Sequence, residues 1–189
     1  RITNELARRN ITANVNEMYV GTFHSLCLRI LKENLEYTRL KKNYRLLDAF
    51  DQKYTVFQNI YQFRNIPNVD AVLPDSGAWK QSEAICGYVN NLSEELVSPD
   101  DLERDADPAI SAMGTILRIY QKLLNDNNLM DFSSIQVEAY HLLTEHSEIL
   151  EVLQGKITHL MVDEYQDTNY IQEQLVFLLA GEKKNICVV

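Results

Sequence analysis

Lys156-Ile-Thr-His-Leu-Met-Val-Asp-Glu-Tyr-Gln-Asp-Thr-Asn-Tyr-Ile-Gln172 is the stretch on which the reading of this chain turns. Its apolar run, Ile157 to Val162, is rich in β-branched and large side chains and predicts a buried strand. Two adjacent carboxylates, Asp163 and Glu164, follow at once, and then the polar residues Gln166, Asp167, Thr168 and Asn169. Apolar residues return at helical spacing with Ile171, Leu175, Leu178 and Leu179. A strand that empties into acids and then into a helix sets those acids at the carboxyl edge of a sheet, where open α/β sheets bind ligands. An acid there can hold Mg²⁺ directly or through water, and a neighbour can orient or deprotonate an attacking water. The plainer reading makes Asp163, Glu164, Asp167 and Asn169 a polar loop with a helix cap.

The bulk composition narrows the class. The chain has 189 residues, 46% hydrophobic and 24% charged, enough for one good core or two small ones. No apolar run approaches a membrane span and no signal peptide is visible, so no membrane partner is expected. Cys27, Cys86 and Cys187 are widely spaced with no C-x-x-C pair. That argues against a disulfide framework or a zinc site and suits a reducing, cytoplasmic compartment. The net charge of −9 is a poor footprint for nucleic acid, but it is unevenly spread. Residues 1–45 hold nine Lys/Arg against four acids, a balance of +5, while residues 46–189 hold nine against 23, a balance of −14. Phosphate contacts are therefore expected from the first quarter of the chain, the other reading being solvated helix faces.

Read in order, the chain opens inside an expected helix (Ile2, Leu6) and closes in an apolar run, Asn185 to Val189, that reads as a buried strand. Both ends look like those of a piece cut from a longer protein. Met18 to Phe23 predicts a short strand, and an amphipathic helix follows with Leu26, Ile30, Leu31 and Leu35. Arg39, Lys41, Lys42 and Arg45 make a basic run. Asp48 is placed to cap a helix whose aromatics Phe50, Tyr54, Phe57 and Tyr61 form a stripe, read as core packing. After a loop at 65–77, helices are expected over about 78–92, from Ser98-Pro-Asp-Asp101, over about 109–125, from Met130-Asp-Phe-Ser133, and over about 147–154. Strands at 18–23, 157–162 and 185–189 suit adjacent places in one parallel sheet. The material between the first two is too long for an ordinary crossover and should form its own helical subdomain.

Two further motifs carry chemistry. Val20-Gly-Thr-Phe-His-Ser25 stands at an expected strand end, where a hydroxyl, a ring and an imidazole meet a helix start. Such a group can bind phosphate with help from backbone N–H groups, and Phe23 or His24 can stack on a base. The plainer reading has Thr22 or Ser25 capping the helix and Phe23 filling core. In Leu129-Met-Asp-Phe-Ser133, Asp131 reads first as a helix cap and Phe132 as a packing anchor.

Taken together, Asp163-Glu-Tyr-Gln-Asp-Thr-Asn169 with Gln172 closely resembles motif II (Walker B) of the UvrD/Rep/PcrA group of superfamily-one DNA helicases. Thr22-Phe-His24 resembles the family's Thr-Phe-His motif, and Asp131-Phe132 its Asp-Phe segment. The resemblance covers essentially the whole chain. It implies an α/β, mostly helical fold: part of a parallel RecA-like (P-loop NTPase) sheet carrying a large all-α insertion. Residues 1–37 and 151–189 would belong to the core and 38–150 to the insertion. It implies an ATP-dependent motor that translocates on single-stranded DNA and unwinds duplex DNA in repair or replication. Asp163 would organise Mg²⁺ on ATP, Glu164 would be the general base, and Gln166 would sense the γ-phosphate side and link it to the DNA track. Asp167 would brace the loop; Thr22, Phe23 and His24 would be DNA-contact candidates.

Two departures matter. Ser93-Glu94 stands where relatives often carry a Lys-Asn pair, which weakens a duplex-phosphate grip there. No G-x-x-x-x-G-K-S/T loop is present, since Gly155-Lys156 runs into Ile157, so this segment alone is expected not to hydrolyse ATP. A helicase–nuclease of the RecB/AddA sort shares this Walker B, and a non-enzymatic DNA-binding or regulatory protein with a degenerate motor is the reading of another class.

Overall fold

The computed structural model describes Arg8, residues 19–183 and residues 185–189, with only the backbone of Lys183. The expected first helix and the connection at 11–16, apart from Arg8, lie outside the described residues, as does Met18.

The first described helix, α1 (Phe23–Glu33), starts where Thr22 turns extended and its hydroxyl accepts the Ser25 N–H at 3.3 Å. Cys27, Ile30 and Leu31 make its buried stripe. The expected strand at 18–23 is not borne out among the described residues: Tyr19 to Thr22 pair with no strand, and Phe23 is already helical. An N-cap residue requires the same extended backbone as a strand, so the local signal was real while the ladder is missing. The Tyr19 ring instead lies 4.2 Å beneath the Arg29 guanidinium.

The basic run that follows is only partly free. Arg39 pairs with Glu138 and reaches the Leu129 carbonyl at 3.4 Å, and Arg45 lies 3.6 Å from Asp51. Arg45–Leu46 is a two-residue strand, β1, parallel to β2 (Leu129–Met130), with Arg45 opposite Leu129 and Leu46 opposite Met130. This ladder fastens the entrance of the helical region to its exit, with Leu47 N–H donating to the Met130 carbonyl at 2.7 Å. Two residues per strand are too few for alternation to register in a sequence.

Between the two strands lie α2 (Ala49–Gln58), α3 (Ile60–Arg64), α4 (Ala78–Glu94), α5 (Pro99–Glu103) and α6 (Pro108–Asp126). Asp48, Ser98 and Asp107 cap α2, α5 and α6 with their side chains. Their shared core holds Leu47, Val56, Phe63, Ile85, Val89, Ile116, Leu117 and Tyr120. Gly114 is required where α6 meets α5: a Cβ would lie 2.8 Å from the Glu103 backbone N and 2.8 Å from the Leu102 Cβ.

The aromatic stripe of α2 corrects the sequence reading. Phe50 is 62% exposed, and Tyr54, Phe57 and Tyr61 are exposed too. The helix buries Gln52, Thr55 and Val56 instead. At about 100° per residue that face lies roughly opposite the aromatic one. Periodicity finds both faces; the choice was made by hydrogen bonding. Gln52 Nε2 lies 2.8 Å from Asn90 Oδ1, 2.9 Å from the Tyr120 hydroxyl and 3.0 Å from Asp131 Oδ2. The aromatics stack outside, Phe50 on Tyr54 at 6.1 Å and Phe57 edge-on to Trp79 at 5.5 Å.

A second core joins α1 to α7 (Phe132–Glu145), α8 (Ser147–Lys156) and α9 (Tyr170–Ala180) through Ile30, Leu31, Ile135, Ala139, Leu143, Leu153, Ile171 and Leu175. Helix α7 packs against both α1 and α9. After α8, β3 (Leu160–Val162) pairs parallel with β4 (Ile186–Val188), Leu160 opposite Ile186 and Val162 opposite Val188. The β3 strand is shorter than the apolar run that announced it, and only Val162 is buried; Met161 is 75% exposed. The whole is mostly helical with two small parallel sheets, and among the described residues no helix is long and apolar enough to cross a membrane.

Candidate functional site

The end of β3 delivers the acids. The Val189 N–H donates to the Val162 carbonyl at 3.0 Å and the Tyr165 N–H to the Val189 carbonyl at 3.0 Å, so the pairing of β3 with β4 runs on past both strands. Asp163 leaves the strand exposed to solvent. Glu164 then takes the left-handed conformation, φ 53° and ψ 43°, which is uncommon for a residue with a Cβ. That turn reverses the chain into a 3₁₀ turn over Tyr165–Asp167, closed by the Asp167 N–H to the Glu164 carbonyl at 2.9 Å.

Within the turn, Asp163 Oδ1 accepts the Glu164 N–H at 3.2 Å and the Gln166 amide donates to Glu164 Oε2. Thr168 Oγ1 donates to the Tyr165 carbonyl at 2.8 Å, and Asn169 caps α9 by accepting the Gln172 N–H at 3.2 Å. The Tyr165 hydroxyl donates to Glu173 Oε1 at 2.8 Å, and that bond holds the phenol above its usual value. Tyr165 and Glu173 thus tie the turn to the helix it feeds, a brace that residue types alone did not announce.

The donor set is hard oxygen. Among the described residues, no Lys, Arg or His forms an ion pair with Asp163, Glu164 or Asp167. No group of three or more His, Cys, Asp or Glu gathers with metal-holding spacing among those residues either. One or two carboxylates fit Mg²⁺, which keeps most of its water and takes phosphate oxygens for the rest, and do not fit a metal that needs a full protein cage.

The Thr-Phe-His stretch forms a separate group. Thr22 is the N-cap of α1, and the Ser25 hydroxyl donates to its carbonyl at 2.7 Å, so the capping reading holds for Thr22. Phe23 and His24 are half-buried. The His24 ring meets Phe132 edge-on at 5.8 Å between centroids, and its Nε2 lies 3.0 Å from Gln136 Nε2. Asp131 caps α7, accepting the Ser134 N–H at 2.7 Å in a reciprocal capping box, as its sequence position implied. Phe132 is 49% exposed, packing on His24 and not into the core. Gln136 went unremarked in the sequence; the signal was a polar residue inside the buried stripe of Ile135, Ala139 and Leu142. Helix α7 packs against α1, which begins in the Thr-Phe-His group, and against α9, which follows the turn that bears the acids.

Comparison with known proteins agrees with this arrangement. The model of the UvrD/REP helicase N-terminal domain matches residues 1–189. The chain is 35% identical over 173 residues to the ATP-dependent DNA helicase PcrA of Staphylococcus epidermidis strain RP62A, and also to that of Staphylococcus aureus strain Mu50. Those alignments cover 91% of this chain and 22% of each relative, so the chain spans about a fifth of their length. A matched model over every residue, and motif acids standing at a parallel strand end, place this chain in the UvrD/REP helicase N-terminal domain family.

Proposed function

We propose that this chain is part of an ATP-dependent DNA helicase, one that couples ATP hydrolysis to movement along single-stranded DNA and to duplex unwinding in repair or replication. The observation that carries the proposal is the exposed Asp163–Glu164 pair at the carboxyl end of β3, with Glu164 turned left-handed and bridged by Gln166. Residues 1–37 and 151–189 are assigned to a RecA-like core and 38–150 to its helical insertion.

In this reading Asp163 holds Mg²⁺ through its carboxylate, directly or through water. The bound nucleotide–metal pair supplies the phosphoryl group and the neutralising charge. Glu164 takes the proton of the attacking water, a role worth about 10²–10⁴ in rate. Gln166, donating to Glu164, ties the position of the base to the state of the turn. Asp167 braces that turn through its backbone. Thr22, Phe23 and His24 touch single-stranded DNA at the start of α1, where backbone N–H groups and the helix dipole favour phosphate. This segment contains no loop to cradle the β- and γ-phosphates and is inert by itself.

The test is strand displacement by the full-length protein on a duplex carrying a single-stranded tail. Displacement that requires ATP and Mg²⁺ supports the proposal. ATP turnover without displacement on either a 3′ or a 5′ tail contradicts the helicase assignment.

A further inference from the structure

Gln136 lies in the buried stripe of α7, 1% exposed, and its amide is only half used. The nitrogen stands 3.0 Å from His24 Nε2, while Oε1 has no hydrogen-bond partner among the described residues. A buried carbonyl left unpaired is a standing cost, and an apolar side chain of similar size would remove it. The side chain therefore makes sense only through the contact it does make, and that contact is His24.

The chemistry of that contact is specific. With the amide nitrogen turned to the ring, as here, the amide N–H donates, His24 Nε2 accepts, and the proton of the neutral ring sits on Nδ1. Phosphate oxygens only accept, so a ring held in this tautomer presents the donor a DNA backbone needs. Phe132, edge-on at 5.8 Å, restricts the ring from another side. We infer that Gln136 is a positioning residue: it fixes the tautomer and orientation of His24 so that Nδ1–H is offered to a phosphate of single-stranded DNA. The inference rests on the reading of His24 as a DNA contact.

The experiment uses the full-length protein and measures ATP turnover against oligo(dT) concentration. It separates the concentration giving half-maximal stimulation from the turnover at saturating DNA, for His24→Ala, Gln136→Leu and the double variant. Gln136→Leu is expected to raise the half-saturating DNA concentration about 3- to 10-fold, the range of one lost hydrogen bond. Turnover at saturation should hold and the unfolding midpoint should not fall. In the His24→Ala background it should change nothing further, because a residue acting only through His24 has nothing left to act on. In histidine-¹⁵N-labelled protein, Gln136→Leu should also move the His24 ring nitrogens away from the Nδ1-protonated pattern. If Gln136→Leu fails to fold, Gln136→Met carries the same readouts. An unchanged half-saturating concentration for Gln136→Leu beside a raised one for His24→Ala overturns the inference alone, as do additive effects in the double variant. An unchanged value for His24→Ala overturns the DNA-contact reading beneath it.

Discussion

Individual side chains in this protein carry their information through what stands, or does not stand, beside them. Asp163 and Glu164 form no ion pair among the described residues, whereas Arg39, part of the basic run in the first quarter of the chain, is already held by Glu138. The three thiols divide the same way. Burial pushes Cys27 and Cys86 up from 9.0 to about 12, with the Asp131 charge adding at Cys86, and Cys187 is exposed. A thiolate is the reactive form, so of these three a maleimide at pH 8 should label Cys187 only, as peptide mapping would show. The same shifts set the sign of an alkaline effect. Groups whose folded-state pKa is raised contribute stability in full below the unfolded value and lose it as pH climbs to the folded one. The unfolding midpoint should therefore fall between about pH 9 and 12. Motif residues were legible at this scale because their types and spacing are the chemistry. Gln136 was not, because its meaning depends on a ring from another helix, 112 positions away in the chain.

Among the elements, α7 joins the two cores. Its cap, Asp131, is 3% exposed and takes hydrogen bonds from the Ser134 N–H, the Tyr120 hydroxyl and the Gln52 amide. Burial and the Asp131 charge hold the Tyr120 phenol well above its usual value, so it stays a donor. Asp131→Ala removes a cap worth about 1 kcal/mol. It also strands a buried hydroxyl and amide at about 1–3 kcal/mol. The expected loss is about 2–4 kcal/mol in urea unfolding, with Asp131→Asn retaining part of it; a loss below about 0.5 kcal/mol would contradict the network. Helix positions and caps were readable along most of the chain, since Asp48, Ser98 and Asp131 each announce a start. The inward face of α2 was not readable. Aromatic residues outrank a glutamine in hydrophobicity, and only the partners Tyr120, Asn90 and Asp131, 38 to 79 positions distant, decide that Gln52 goes inside. The β1–β2 ladder was hidden for a similar reason, since its pairing is entirely non-local.

For the whole molecule, two helical cores meet at a short parallel ladder and at Asp131, and the second core carries both candidate sites. The parallel pairing of β3 with β4 and the run of helices ahead of β3 were legible from apolar runs and helical spacing. The sheet position expected for residues 18–23 was not, because an extended cap and a strand look alike until a partner strand is present. The central claim is that the Asp163–Glu164 strand end is the hydrolytic centre of a DNA motor, and DNA-stimulated ATP turnover of the full-length protein tests it most directly. Turnover should rise with single-stranded DNA, and Asp163→Ala should abolish it. Glu164→Gln should lower it about 10²–10⁴-fold while a fluorescent ATP analogue still binds. Wild-type turnover retained in Glu164→Gln, or a full-length protein inert with every nucleic acid, would contradict the account.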